Sequence, residues 1–72
     1  MDKHEYRLKT EQMLNYMKQR SYKEAKEIAD EIDWRRVKNT SVLCVVSEIY
    51  EENGRYDEAR DILLTAYERA ND

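Results

Sequence analysis

Side chains that could carry out chemistry are few in this chain and do not form a catalytic set. His4 is the only histidine and Cys44 the only cysteine, so the chain lacks the group of ligands that holds zinc. A nucleophilic site would depend on His4 as its one base. Gly54 is the only glycine, which excludes a glycine-rich phosphate loop. Neighbouring carboxylates such as Glu51 and Glu52 carry no specificity as an acid–base pair. We therefore predict that the chain is not an enzyme and has no catalytic, metal-binding or cofactor-binding residues.

Two other features bear on binding. Cys44 lies among valines, and we expect it to be a small buried side chain rather than a reactive thiol.

The cluster Trp34 to Lys38 is aromatic and basic, which would suit a phosphate backbone or an anionic membrane. The alternative to a binding role is that the tryptophan packs against a helical hairpin and the arginines stay solvated. The chain carries 13 basic and 16 acidic residues, without the basic excess of most nucleic-acid-binding proteins. We therefore expect neither nucleic acid nor a membrane as the main partner.

Length and composition indicate one small helical domain, residues 1–72. The chain has no proline, a single glycine and 40% charged residues, which suits helices joined by tight turns. Residues 1–10 are polar and lack the apolar core of a signal peptide. The longest apolar run, Val42 to Val46, is too short to span a bilayer. We therefore expect a cytoplasmic protein.

The chain repeats itself at a spacing of 34 residues. Five residues of the first half recur in the second: Tyr16, Tyr22, Glu24, Ala25 and Ile28 correspond to Tyr50, Tyr56, Glu58, Ala59 and Ile62. Over the 13 positions from Tyr16 to Ile28, chance would give roughly one identity at ordinary residue usage. A fixed period of this size is typical of stacked supersecondary units. Such proteins usually act through their surfaces, so the repeat favours a binding function.

Apolar periodicity predicts four helices, near residues 5–18, 22–33, 40–53 and 56–70. The last helix has the clearest stripe, formed by Tyr56, Ala59, Ile62, Leu63, Ala66, Tyr67 and Ala70. The helix near 40–53 has the widest apolar face, so we expect it to be the most buried.

The helix boundaries are predicted from capping residues. Ser21 suits the N-cap of the second helix, and Thr40 or Ser41 suits the N-cap of the third. Gly54 suits the left-handed position that follows a helix. The segment Asp33 to Asn39 connects the two halves, and it either extends the second helix or forms an extra turn.

The second half resembles a tetratricopeptide repeat (TPR), a family in which 34-residue units each pair two antiparallel helices. Its matching residues are Leu43, Val46, Ser47, Tyr50, Gly54, Tyr56, Ala59, Leu63 and Ala66. The resemblance implies a repeat unit over residues 40–72. In this unit Ser47 and Ala59 are small where the helices cross closely, while Tyr50 and Tyr56 fill the space beside the crossing. The whole chain is then an all-α fold of two stacked antiparallel hairpins, a fragment of an α-solenoid.

The first unit, residues 1–39, departs from the family pattern. Met13 stands at the small position of Ser47, Arg20 at the position of Gly54, and Lys9 at the position of Leu43. Two explanations remain open: the first helix is a divergent N-terminal cap, or it is an unrelated helix that joined the stack.

The resemblance implies a non-enzymatic module that binds a segment of another protein, or scaffolds an assembly, through a groove lined by the first helix of each unit. Transferred position by position, the groove residues are Arg7, Thr10, Leu14, Met17, Lys18, Ser41, Cys44, Glu48, Glu51 and Glu52. Glu48 and Glu51 favour a partner with basic residues. The alternative is that they are ordinary solvated charges.

A second hypothesis is self-association. Stacked repeats generally need about three units for stability, and two units leave an apolar end face uncovered. The chain would then form a homodimer or larger homo-oligomer through that face.

Overall fold

The computed structural model describes residues 2–71 and shows within them four α-helices, one short 3₁₀ turn and no strand. The helices are α1 (Lys3–Lys18), α2 (Tyr22–Ala29), α3 (Thr40–Glu52) and α4 (Tyr56–Ala70). The 3₁₀ turn covers Trp34–Arg36. The predicted all-α class is confirmed. The chain divides into two compact units, Met1–Ile32 and Asp33–Asp72, each built around one helical hairpin.

The first hairpin packs α1 against α2. Asp2 caps α1 by accepting a hydrogen bond from the Glu5 N–H at 2.8 Å. Met13 on α1 is fully buried, as are Ala25 and Ala29 on α2. The alanines allow close approach of the two helices, and methionine has the flexibility to fill the irregular space that remains.

The turn of the first hairpin is a Schellman motif. The Arg20 N–H donates to the Met17 carbonyl at 3.0 Å, and the Ser21 N–H donates to the Tyr16 carbonyl at 2.8 Å. This pattern places Arg20 at φ +59°, in the left-handed region. Ser21 occupies the predicted N-cap position of α2, but its side chain makes no capping hydrogen bond.

Helix α2 ends at Ala29, four residues before the predicted end. Beyond it, the Glu31 N–H donates to the Ile28 carbonyl in the tighter i to i−3 pattern. Asp33 then takes an extended conformation, and its carboxylate accepts from the Arg35 N–H at 3.1 Å. This local hydrogen bond competes with helix continuation. The connector therefore forms an extra turn rather than an extension of α2.

The second hairpin packs α3 against α4. The side chain of Asn39 caps α3 by accepting from the N–H groups of Ser41 (3.0 Å) and Val42 (3.3 Å). The prediction of Thr40 or Ser41 as the cap was wrong: the cap is the residue before Thr40, because the amide oxygen of Asn39 reaches the first unpaired donors of the helix. Helix α3 has the largest set of buried residues, as predicted: Leu43, Val46, Ser47, Ile49 and Tyr50.

Ser47 and Ala59 meet where α3 and α4 cross. The Ser47 hydroxyl donates to the Ala59 carbonyl oxygen at 2.8 Å, and both residues are buried. The small side chains bring the two backbones close enough for this bond. The predicted close crossing is confirmed, with a hydrogen bond added to it.

The turn of the second hairpin repeats the first turn 34 residues later. The Gly54 N–H donates to the Glu51 carbonyl at 3.0 Å and the Arg55 N–H to the Tyr50 carbonyl at 2.8 Å. Gly54 has φ +78°, which confirms the left-handed conformation predicted for it. The Arg55 guanidinium also lies 4.4 Å from the centroid of the Tyr50 ring, a cation–π contact.

Helix α4 buries only part of its predicted apolar stripe. Ala59 and Ala66 are buried, whereas Tyr56, Leu63 and Tyr67 are exposed by 67%, 37% and 63%. The expectation that Tyr56 fills space beside the crossing was wrong, although Tyr50 is buried. The reason is geometric, since α3 is the one described helix of its unit against which α4 packs. The side of the stripe that does not face α3 therefore stays exposed.

Candidate partner-binding surfaces

The α3 residues predicted to line a groove share one exposed face. These residues are Ser41, Cys44, Glu48, Glu51 and Glu52, and all five are exposed. Their steps of three, four, three and one residues place them on the same side of a helix. We call this face the acidic stripe of α3. The buried residues Leu43, Val46 and Tyr50 occupy the opposite side.

The acidic stripe is most negative at the C-terminal end of α3. Glu48, Glu51 and Glu52 lie in the last two turns, and the last turn has no basic residue. The helix dipole adds partial negative charge at this end. Because all three carboxylates are exposed, their field is screened by salt and each pairwise interaction is weak. The arrangement attracts cations without selecting one of them.

Cys44 is exposed, which corrects the expectation of a buried side chain. Valines surround it in the sequence, but helical rotation separates it from Val46, which is fully buried. The thiol lies at the edge of a shallow apolar pocket of about 170 Å³ between α3 and α4. The lining residues of this pocket, which we call the Cys44 pocket, are Thr40, Cys44, Leu63, Ala66, Tyr67 and Ala70. Cys44 thus belongs both to the acidic stripe and to the pocket.

The five α1 residues predicted for the groove are less uniform. Arg7 and Lys18 are exposed, whereas Thr10, Leu14 and Met17 are half-buried. The Thr10 hydroxyl donates to the Tyr6 carbonyl at 2.8 Å, within its own helix. This bond leaves the hydroxyl without a proton for a ligand acceptor. Within the first hairpin, the predicted α1 residues therefore offer a ligand mainly the two exposed cations, Arg7 and Lys18.

Sequence reasoning missed the contribution of α4 to both surfaces of the second unit. Leu63 and Tyr67 were placed on the apolar stripe of the last helix, yet they are exposed and line the Cys44 pocket. Arg69 was not linked to the Trp34–Lys38 cluster, yet it lines one pocket with Arg35, Arg36 and Lys38. The periodicity of α4 placed these residues on an apolar stripe or in a last turn, and the rotation of the helix against α3 is not encoded in that periodicity.

Within residues 2–71, no group of three or more His, Cys, Asp and Glu side chains is arranged to hold a metal ion. None of the helices described is both long and apolar enough to cross a membrane. Comparisons with protein-family models, with curated proteins and with solved structures found no match to this chain.

Proposed function

We propose that this chain is a non-enzymatic protein-interaction module of the tetratricopeptide type, whose second hairpin holds a segment of another protein. Support for the repeat type comes from the two turns, whose hydrogen bonds match at a spacing of 34 residues. Further support comes from the small-residue crossing, where Ser47 bonds to the Ala59 carbonyl. The exposed lone thiol of Cys44 suits a reducing cytoplasm.

The observation that carries the proposal is the junction of an apolar pocket and an acidic stripe at Cys44. Leu63 and Tyr67 supply apolar surface on one side of this residue, and Glu48 begins the line of carboxylates on the other. A segment that suits both surfaces has one apolar anchor and basic residues about a turn away. We propose such a segment as the ligand.

The two parts of the surface have different roles. Burial of an apolar anchor contributes roughly 25 cal/mol per Å² of area removed from water. An exposed ion pair contributes about 0–1 kcal/mol. The Cys44 pocket therefore supplies most of the affinity, and the acidic stripe orients the partner and speeds its association.

A labelled peptide with one leucine flanked by lysines tests the proposal by fluorescence anisotropy. We expect saturable binding to the native chain, and a loss of about tenfold in affinity for Glu48→Lys combined with Glu51→Lys, a change of about 1.4 kcal/mol. The matched control is Glu24→Lys with Glu27→Lys, which reverses two exposed charges on α2. Equal losses in both variants would show that only net charge matters, and would contradict the proposal.

The apolar part is tested with a second matched pair. Leu63 lines the Cys44 pocket and its exposed neighbour Leu64 does not. We expect Leu63→Gln to weaken binding of the same peptide and Leu64→Gln to leave it unchanged. Circular dichroism confirms that both variants retain their helix content.

Self-association is a second candidate, favoured by the apolar side chains that α4 exposes. Tyr56, Leu64 and Tyr67 are each more than half exposed, and a second copy of the chain could cover them. Sedimentation across a hundredfold range of concentration tests this hypothesis. A dimer that Leu64→Gln dissociates, while peptide binding persists, would establish self-association as a separate property. A monomer at every concentration would exclude it.

A further inference from the structure

The connector before α3 is built so that apolar and basic side chains separate. Trp34 and Val37 are buried, with 8% and 7% exposure, while Arg35, Arg36 and Lys38 are exposed. The 3₁₀ turn holds this arrangement, since the Arg36 N–H donates to the Asp33 carbonyl at 3.1 Å. Burial of the indole ring therefore anchors the turn and presents three cations from five consecutive residues.

Arg69, from the last turn of α4, adds a fourth cation. Its Nη2 donates to the carbonyl oxygen of Arg35, which ties α4 to the connector. Its Nη1 is buried and has no hydrogen-bond partner among the residues described. A guanidinium has five N–H donors, and an unsatisfied buried donor is costly. The tie to Arg35 sets where the guanidinium lies and leaves part of its donor capacity unused.

The four cations line a single open pocket of about 600 Å³. Within residues 2–71, none of the four forms an ion pair with a carboxylate, and the neighbouring Asp33 carboxylate accepts from the Arg35 backbone instead. Like charges held together without counter-charges raise the free energy of the fold. A bound anion would remove that cost.

The concentration of positive charge here runs against the charge of the unit. Residues 33–72 carry nine acidic and six basic side chains, and four of those six line this pocket. The rest of the unit is therefore strongly acidic. A nucleic acid strand needs basic contacts along its length, and the acidic surroundings would repel it. A planar anionic membrane would meet the same repulsion. A compact anion meets only the pocket.

We infer that Arg35, Arg36, Lys38 and Arg69 form a binding site for a single phosphate group, carried by a phosphorylated side chain of a partner polypeptide or present as free phosphate. Phosphate suits this donor set, because guanidinium groups bind its oxygens in bidentate pairs and such charge-assisted hydrogen bonds are strong. The lysine adds a mobile point charge. This pocket shares no lining residue with the Cys44 pocket.

Calorimetric titration at constant ionic strength tests the inference with two probes. One is inorganic phosphate, and the other is a short phosphoserine peptide, compared with its unphosphorylated twin. Trp34, the only tryptophan, adjoins the basic residues and provides a fluorescence signal for the same titration. We expect saturable binding of the phosphopeptide or of phosphate, and no binding of the twin. Binding of phosphate equal to that of the phosphopeptide identifies free phosphate as a sufficient ligand.

Two variants and one control make the test specific. Arg36→Gln and Arg69→Gln should each weaken binding about tenfold or more, as expected for loss of a hydrogen bond to a charged group. The Arg36 side chain is exposed and makes no hydrogen bond to the residues that the structure describes, so this variant keeps the test valid if Arg69→Gln unfolds. Arg60→Gln, which removes an exposed cation elsewhere on α4, is the control. The inference fails if neither probe binds or if the control loses as much affinity. It also fails if a single-stranded oligonucleotide or a phosphatidylserine vesicle binds more tightly than both probes.

Discussion

The two hairpins close with the same turn but place different residues at its left-handed position. Gly54 has φ +78° and Arg20 has φ +59°, and the backbone hydrogen bonds around the two residues match in partner and length. A residue with a Cβ pays about 1–2 kcal/mol in this conformation. The first hairpin therefore tolerates strain that the second avoids. The turn is specified by its helices and its length, and glycine only lowers its free energy.

The helix crossings of the two hairpins differ as well, with small residues in the second hairpin and a larger one in the first. In the second hairpin, Ser47 and Ala59 approach closely and share a hydrogen bond. In the first, the equivalent position holds Met13, which is fully buried, as are Ala25 and Ala29 of α2. At a third equivalent pair, Leu43 is fully buried and Lys9 instead forms an ion pair, with 2.6 Å between its Nζ and Glu31 Oε2. At these positions the second hairpin has small and apolar core residues, whereas the first has a flexible buried side chain and a surface charge pair.

The largest effect that separates the hairpins is expected at Leu43 and Lys9. Leu43→Ala should cost about 2–5 kcal/mol, because it removes fully buried volume and leaves a cavity. Lys9→Ala, at the equivalent position, removes an exposed ion pair and should have a far smaller effect. Urea unfolding followed by circular dichroism and Trp34 fluorescence measures both. Similar losses at the two positions would show that the hairpins use this position in the same way.

The crossing of the second hairpin is tested by enlarging Ala59. Ala59→Leu should cost about 1–3 kcal/mol through overpacking, because the side chain would enter the space that lets Ser47 reach the Ala59 backbone. The matched control is Arg60→Leu, an exposed neighbour on α4, which should change the free energy of unfolding little. If both variants unfold at the same urea concentration, close packing at Ala59 does not matter.

Exchanging the turn residues sharpens the comparison of the two turns. Arg20→Gly should stabilise the first hairpin by about 0.5–1 kcal/mol, since relief of the left-handed strain outweighs the added entropy of the unfolded chain. Gly54→Ala should destabilise the second by a similar amount, from backbone strain alone, because a Cβ at Gly54 would have no atom within 4 Å. Hydrogen exchange of the helix amides reports each hairpin separately. Gln19→Gly, at a residue with ordinary φ, serves as the control, and stabilisation by that change would contradict the strain argument.

The smallest effect concerns pH and the first hairpin alone. The hydrogen bond to Glu31 raises the pKa of Lys9, and the nearby charges of Glu31 and Glu5 add to the shift. A raised pKa in the folded state means that the pair stabilises the fold fully below the unfolded lysine pKa of about 10.4. This stabilisation is lost as pH rises through the folded value. Lys9→Met should therefore lose stability relative to the native chain at about pH 9 and less so at about pH 11. An unfolding difference that does not change with pH would show that the pair is not coupled to folding.

Much of the local structure could be predicted from residue types. The periodicity of apolar residues predicted four helices, and Gly54 predicted the end of α3, because the left-handed position favours glycine. The pair Ser47 and Ala59 predicted a close crossing, because only small side chains permit one. These inferences depend on contacts within a few turns of helix. The C-terminal end of α2 was predicted four residues too late, at residue 33 instead of Ala29, because the sequence left open whether Asp33 continues the helix or starts a turn.

The candidate surfaces were predicted only in part. The positions of the acidic stripe of α3 came from the resemblance to the tetratricopeptide family, and the structure places all five on one exposed face. The sequence did not show that the Cys44 side chain is exposed, or that Leu63 and Tyr67 line a pocket with it. These outcomes depend on which side of α4 faces α3. The apolar stripe of α4 is wider than its contact with α3, so the stripe does not reveal which of its residues are covered.

The order of residues alone determined where helices form, where they turn, and that the pattern recurs after 34 positions, because these properties depend on interactions between near neighbours in the chain. The tertiary structure decided which part of each apolar stripe is covered, and it brought Arg69 to a cluster of cations 31 to 34 residues earlier. Contacts of this kind between residues distant in the sequence require two helices to pack at one particular rotation. That rotation is set by the shapes of all the side chains in the contact together, and no single spacing in the sequence specifies it.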